Sequence, residues 1–371
     1  MKADSPRGRR YCAELLQKLV DIDSVFPNEQ EAAVFLEREL AMLGLKPSRI
    51  EVEPGRFNLC CKIGSGYPRV CLNAHIDTVP PSGESTPQAR IEGDILYGLG
   101  SCDDKASIAA IVTAALEIAS RADDMPAGVD ILISVDEEHN ARGVESAVKQ
   151  GYKCDYAIVG EPTELNVIRA HNGLLWISLT TNGVAAHGSS PWAGVNAIDR
   201  MIEVVDDLKS AIVHFPAHPI TGPMSLNLGI IKGGDLPNRV PETCEAVVDI
   251  RLAPPVTLND VKQALQSVLD SRQWLSYSYG KSRECLDTPY DSALVRSVTD
   301  AAAEMGIDTE ITGMRGWTEA ESFATLLGID AIVCGPGSMA QAHSSNEFVK
   351  ISQTQQAAAL YVRTVERLLR V

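Results

Sequence analysis

Between residues 58 and 159, short β-rich runs alternate with helical stretches, and this alternation restricts the chain to an α/β sheet more tightly than any other feature of its sequence. The β-rich runs are residues 58–63, 70–74, 129–135 and 156–159. Apolar residues at helical spacing (Ala32, Phe35, Leu36, Leu40, Leu43) mark a helix over 29–43 that stops at Gly44, and helices are predicted over 11–22, 105–119 and 144–149 as well. From Gly173 the texture changes. Residues 174–181, 224–231 and 246–252 read as strands and 195–210 as a helix, which predicts a smaller α+β domain. A chain of 371 residues exceeds what one hydrophobic core usually organises. The expectation is an α/β body of residues 1–173 and 287–371 with an inserted domain over 174–286.

Charge and cysteine usage narrow the function. A net charge of -16 repels phosphate backbones and anionic membrane surfaces, so neither nucleic acid nor membrane is an expected partner. No run approaches the roughly 20 apolar residues of a membrane span, and no apolar h-region follows the basic start at residues 1–10. The nine cysteines are scattered, without CxxC spacing, which suits reduced thiols and a cytoplasmic protein.

Chemistry concentrates where the β-rich runs end. His75 and Asp77 follow 70–74, and residues two apart on an extended segment share a face, so the Asp77 carboxylate is expected to accept the second N–H of His75 and fix its tautomer. Asp103 and Asp104 stand between a glycine turn and the helix at 105–119, where an N-cap is the ordinary reading. Asp136-Glu137-Glu138 follow 129–135 as three successive carboxylates, which repel one another unless cations or protons neutralise them; a solvated acidic loop is the alternative. Glu161 ends 156–159 before a proline, and His343 ends a glycine-rich segment after 331–333. Each has a plain structural explanation when read alone. Four strand ends supplying His, Asp or Glu together point to a site for zinc, manganese or cobalt.

The motifs carrying these residues resemble the M20 metallopeptidase and deacylase family over nearly the whole chain. Tyr97-Gly98-Leu99-Gly100, Gly160-Glu161-Pro162-Thr163, the stretches 169–173, 187–191 and 194–198, Leu226-Asn227-Leu228-Gly229 and Gly335-Pro336-Gly337-Ser338 look closest to its acetylornithine deacetylase branch. The resemblance implies a zinc-peptidase-like catalytic domain carrying a lid and dimerisation domain, and a homodimer. It implies two divalent metals, zinc with cobalt or manganese possible: one held by His75, Asp103 and Glu161, the other by Asp103, Glu138 and His343, with Asp103 bridging. Glu137 becomes the general acid and base that activates the metal-bound water and protonates the leaving amine, with Asp77 orienting His75. In the smaller domain His187 is implied as an oxyanion donor, and Asn238 and Arg251 as ligands for the substrate carboxylate; pairing with a strand neighbour is the alternative for Arg251. One departure stands out: Asp104-Lys105-Ala106 replaces the Met-Lys-Gly common in the family, which adds a carboxylate beside the metals, although the glycine turn aligns Asp103 as the bridge. Asn346-Glu347 likewise replaces a common Asp-Glu pair.

The expected activity is removal of an acyl group from a small-molecule N-acyl amino acid, with Glu319, and beside it Glu321, meeting a cationic substrate side chain. The alternatives are a desuccinylase, a dipeptidase or a carboxypeptidase of the same family, or a catalytically inactive binding protein of the same fold.

Overall fold

The structure is a computed structural model that describes residues 1–83, 86–121 and 127–369. The chain forms two compact units, one of Met1–Arg169, Thr288–Thr312 and Thr318–Val371, the other of Ala170–Asp287 and Gly313–Trp317. Gly313–Trp317 also joins the second unit, which no local pattern announces.

In the first unit the strands lie in the order Pro47–Glu53, Arg56–Ile63, Gly128–Ser134, Arg69–His75, Tyr156–Val159, Asp330–Val333 and Val167–His171. Pairing is parallel from Gly128–Ser134 through Arg69–His75 and Tyr156–Val159 to Asp330–Val333, so these four strands end on one edge of the sheet. They are apolar and buried because helices cover the sheet. Val70, Leu72, Ala74, Val129, Ile131 and Ile133 alternate toward one core, with Leu16, Leu19, Ile108, Ile111, Leu360 and Val365 from the helices Pro6–Val20, Lys105–Ala119 and Ile351–Leu369. Lys105–Ala119 is apolar nearly all round because it packs between the sheet and these helices. A small antiparallel sheet, Arg90–Glu92, Ile95–Tyr97 and Phe348–Lys350, ties residues 95–97 to 348–350 and sets Glu347 against the loop after Tyr97.

The second unit has a four-stranded antiparallel sheet in the order Ser225–Gly233, Thr243–Leu252, Gly173–Asn182, Leu275–Arg283. Burial alternates along Thr243–Leu252, and its inward residues Cys244, Ala246, Val248 and Ile250 meet the helices Ala197–Ile212 and Leu258–Leu269 in a separate core. Ser225–Gly233 is an edge strand, with Ile230 and Ile231 exposed. No helix among the described residues is long and apolar enough to cross a membrane.

Candidate metal centre

Because the four central strands are parallel, the segments leaving their ends converge on one edge of the sheet. His75 closes its strand there. The Asp103 Oδ1 atom lies 3.0 Å from His75 Nε2, and its Oδ2 lies 3.5 Å from His343 Nε2. The same nitrogen of His343 is 2.8 Å from Glu138 Oε1. One ligand atom each from His75, Asp103 and Glu138 fall within 4.8 Å of one another. Asp103 thus turns one oxygen toward each histidine. Asp104, across a cis peptide, is fully buried, and neither of its carboxylate oxygens has a hydrogen-bond partner among the described residues.

Two backbone features hold the histidine loop at this edge. Gly335 runs so close to Glu161 that a β-carbon there would lie 2.6 Å from its carbonyl oxygen, which excludes other residues. His343 itself adopts φ 58, an uncommon conformation for a residue with a side chain.

The electrostatics of the cluster are one-sided. Burial pushes Glu161 well above the usual carboxylate range, and the Asp103 charge adds to this. Burial also raises Glu137, with Glu138 and Glu319 reinforcing it against His75, and raises Asp104, with Asp103 reinforcing it. Glu138 is raised by burial although His343 opposes the shift. For His75 burial favours the neutral ring, but Asp103 and Asp77 override it and hold the imidazole well above its ordinary value. Contact with Glu138 raises His343. Acids that retain protons and histidines that gain them describe a site that is stabilised by added positive charge. Imidazole and carboxylate donors of this kind fit a divalent cation such as zinc.

Asp77 does not act as the sequence pattern suggests. His75 Nδ1 lies 3.0 Å from the backbone carbonyl of Asp77 and 3.6 Å from its carboxylate. A carbonyl can only accept, so it still fixes the tautomer that leaves Nε2 free for a metal. The buried carboxylate instead accepts the backbone N–H groups of Glu137 at 3.1 Å and Glu138 at 2.9 Å.

Two further carboxylates support the site in ways their sequence context did not specify. The Glu347 carboxylate accepts N–H groups from Gly100 (2.8 Å), Cys102 (2.8 Å) and Asp103 (3.0 Å), and burial raises its pKa to about 7. Asp136 pairs with the guanidinium groups of Arg56 and Arg142 and is not one of the residues clustered with His75. Burial alone would raise its pKa, yet the hydrogen bonds from Arg142 and Arg56 hold it below the ordinary carboxylate value. The Asp136-Glu137-Glu138 run and the Asn346-Glu347 pair marked these positions without indicating their partners.

Glu319 is placed differently from its expected role at a substrate side chain. It is 1% exposed, and its carboxylate accepts hydrogen bonds from the Ser134 hydroxyl and, at 3.2 Å, from the Val144 N–H. Burial raises it to about 7. It braces the end of Gly128–Ser134 from within the core, and Glu321 is buried as well.

His187, Asn238 and Arg251 belong to the second unit. His187 and Asn238 are exposed, and Gly188 donates its N–H to the Asn238 carbonyl at 2.7 Å. His187 Nδ1 accepts the Ser189 N–H at 3.1 Å, so a neutral ring carries its proton on Nε2. Arg251 pairs with Asp249 at 3.0 Å, the strand-neighbour alternative.

Comparison with known proteins accords with this geometry. The family model for peptidase family M20/M25/M40 matches residues 71–367. An acetylornithine deacetylase of Aliivibrio salmonicida is 33% identical over 330 residues, covering 84% of each chain. Among solved structures, a tripeptidase from Staphylococcus aureus superposes with a TM-score of 0.82 at 21% identity, over 98% of this chain and 99% of that one. A metallo-carboxypeptidase from Sulfolobus solfataricus gives 0.82 at 18% identity, over 97% and 99%.

Proposed function

Because the chain belongs to peptidase family M20/M25/M40, we propose that it is a two-metal amide hydrolase that removes the acyl group from an N-acyl amino acid, as an acetylornithine deacetylase does. The observation that carries the reading is the Asp103 carboxylate, with one oxygen 3.0 Å from His75 and the other 3.5 Å from His343. This is the orientation a bridging ligand requires. His75, Asp103 and Glu161 would hold one cation, and Asp103, Glu138 and His343 would hold the second. Zinc is the best fit to two imidazoles and three carboxylates, and cobalt or manganese suits the same donors. When bound, such a pair polarises the amide carbonyl and lowers the pKa of water.

The chain's own groups do the rest. Glu137, raised by burial and by neighbouring carboxylates, takes the proton of the attacking water and hands it to the departing amine nitrogen. Asp77 orients both sides of this step, through its carbonyl on His75 and its carboxylate on the Glu137 and Glu138 backbone. The Nε2–H of His187, fixed by the Ser189 contact to Nδ1, donates to the oxyanion that develops on the amide. Asn238 and Arg251 bind the substrate carboxylate; for Arg251 this means sharing a guanidinium already paired with Asp249. The second unit serves as lid and dimerisation domain. Its edge strand Ser225–Gly233, with unpaired backbone and exposed Ile230 and Ile231, supports pairing with a second copy. The nine free cysteines support a cytoplasmic enzyme, and the likeness to acetylornithine deacetylases supports a small-molecule substrate.

The test is hydrolysis of a panel of N-acetyl, N-succinyl and N-formyl amino acids and simple dipeptides by protein loaded with zinc, cobalt or manganese. Turnover of N-acetyl amino acids above the other classes is expected. Cleavage of dipeptides with no N-acyl amino acid turned over would replace the deacylase reading by a peptidase.

A further inference from the structure

We propose that the ion cluster Arg56–Asp136–Arg142 is a positioning device that aims the carboxylates of Glu137 and Glu138, an inference that rests on the roles given to those two residues above. Asp136 sits between the strand Gly128–Ser134 and Glu137 with φ 71, in the left-handed region that residues with a β-carbon adopt at a cost. It holds that conformation while fully buried and doubly paired. Its Oδ1 accepts from Arg56 at 3.0 Å and from Arg142 Nη2 at 3.4 Å, and its Oδ2 accepts from Arg142 Nε at 2.7 Å.

The arginines are themselves tied to other parts of the unit. Arg56 pairs with both oxygens of buried Glu29, at 2.9 and 2.5 Å, and with Glu53 at 2.8 Å; Arg142 reaches Glu53 at 2.5 Å. The Ala141 N–H closes the turn onto the Asp136 carbonyl at 2.5 Å. Just downstream, the Asp77 carboxylate grips the Glu137 and Glu138 N–H groups. The acidic segment is therefore held by its side chain at 136 and by its backbone at 137 and 138. These two grips fix the direction in which the next two side chains leave the turn.

Arg56, Asp136 and Arg142 are positioning residues, because none is assigned contact with reacting atoms. The Arg142 side chain is 35% exposed, and when it is removed Arg56 still pairs with the buried Asp136, so its loss should be felt mainly in the local geometry. Misplacement of a catalytic group by about 1 Å can cost on the order of 100-fold in rate.

The experiment compares Arg142→Met, Arg142→Lys and Asp136→Asn with the wild type in three readouts: kcat and KM on an N-acetyl amino acid, zinc Kd by calorimetry, and Tm of the metal-free protein. Arg142→Met should lower kcat about tenfold or more with KM within about twofold. Zinc binding should weaken about tenfold through Glu138. Arg142→Lys should recover part of both, since an ammonium retains a single ion pair. If Arg142→Met fails to fold, Asp136→Asn decides on the same readouts, because asparagine tolerates the left-handed backbone without the charge. Values of kcat and zinc Kd within twofold of wild type, or losses that follow Tm and are not recovered by lysine, overturn the proposal. A wild-type protein inert toward N-acyl amino acids overturns the deacylase reading instead, and zinc Kd then still decides the positioning role.

Discussion

The carboxylate of Asp77 accepts the backbone N–H of Glu138 at 2.9 Å, while the carbonyl of the same Asp77 faces His75 Nδ1 at 3.0 Å. One residue thus couples two segments that the proposed metal pair joins. In Asp77→Asn the carbonyl contact persists, but an amide presents one acceptor where two N–H groups converge. Zinc affinity should fall by about 10- to 100-fold, the usual cost of losing an outer-shell partner. Calorimetric titration of the metal-free protein checks this, and unchanged affinity would show that the carboxylate serves the loop without serving the site.

Glu137→Gln should separate binding from chemistry. With its N–H still held by Asp77, the variant is expected to bind two metals per chain and to lose about 100-fold or more in kcat. Metal content by elemental analysis and steady-state rates are the measurements. A variant with full metal and full rate would exclude Glu137 as the proton carrier.

The pH dependence of the metal-free protein should carry the signature of Glu319. Burial pushes its pKa up to about 7, above the ordinary glutamate value of 4.5. Folding therefore favours the protonated acid, and that contribution is complete below about pH 4.5 and lost as pH rises through about 7. A shift of this size corresponds to on the order of 3 kcal/mol. In Glu319→Gln the difference from wild type should move in favour of the variant as pH rises from 5 to 8. Urea unfolding at each pH measures it, and parallel stability curves would contradict it.

Glu347→Gln should loosen the turn that carries Asp103. The carboxylate accepts three N–H groups from residues 100–103, and a carboxamide offers one oxygen and a competing donor. Loss of one or two such bonds to a charged group costs roughly 2–4 kcal/mol. Thermal unfolding without metal should show the loss, and zinc Kd should weaken with it. An unchanged Tm would mean that the loop is held by other contacts.

The edge-of-sheet arrangement was legible because its signals are local. The helix at 105–119 and the strand at 156–159 have the bounds that apolar periodicity indicates, and His75, Asp103, Glu138 and His343 meet where parallel strands end. What the sequence concealed depends on distant partners. Glu347 finds its N–H groups some 244–247 residues earlier in the chain, and Glu319 finds Ser134 185 residues away. For Asp77, period-two geometry places its side chain beside His75 but says nothing of the backbone of residues 137 and 138 that it also binds. The strand Pro47–Glu53 escaped notice because, as a partly exposed edge strand, it lacks an apolar run.

The short segment Gly313–Trp317, grouped with Ala170–Asp287 although far from it in sequence, bears on how freely this architecture could be shuffled. A gene fragment spanning only residues 170–287 would encode the second unit without one of its pieces. The unit is not a cassette that can be excised at two junctions or grafted into another host by a single insertion. Exchange between relatives would have to bring the distal piece along, so recombination should preserve the two halves of its coding sequence together.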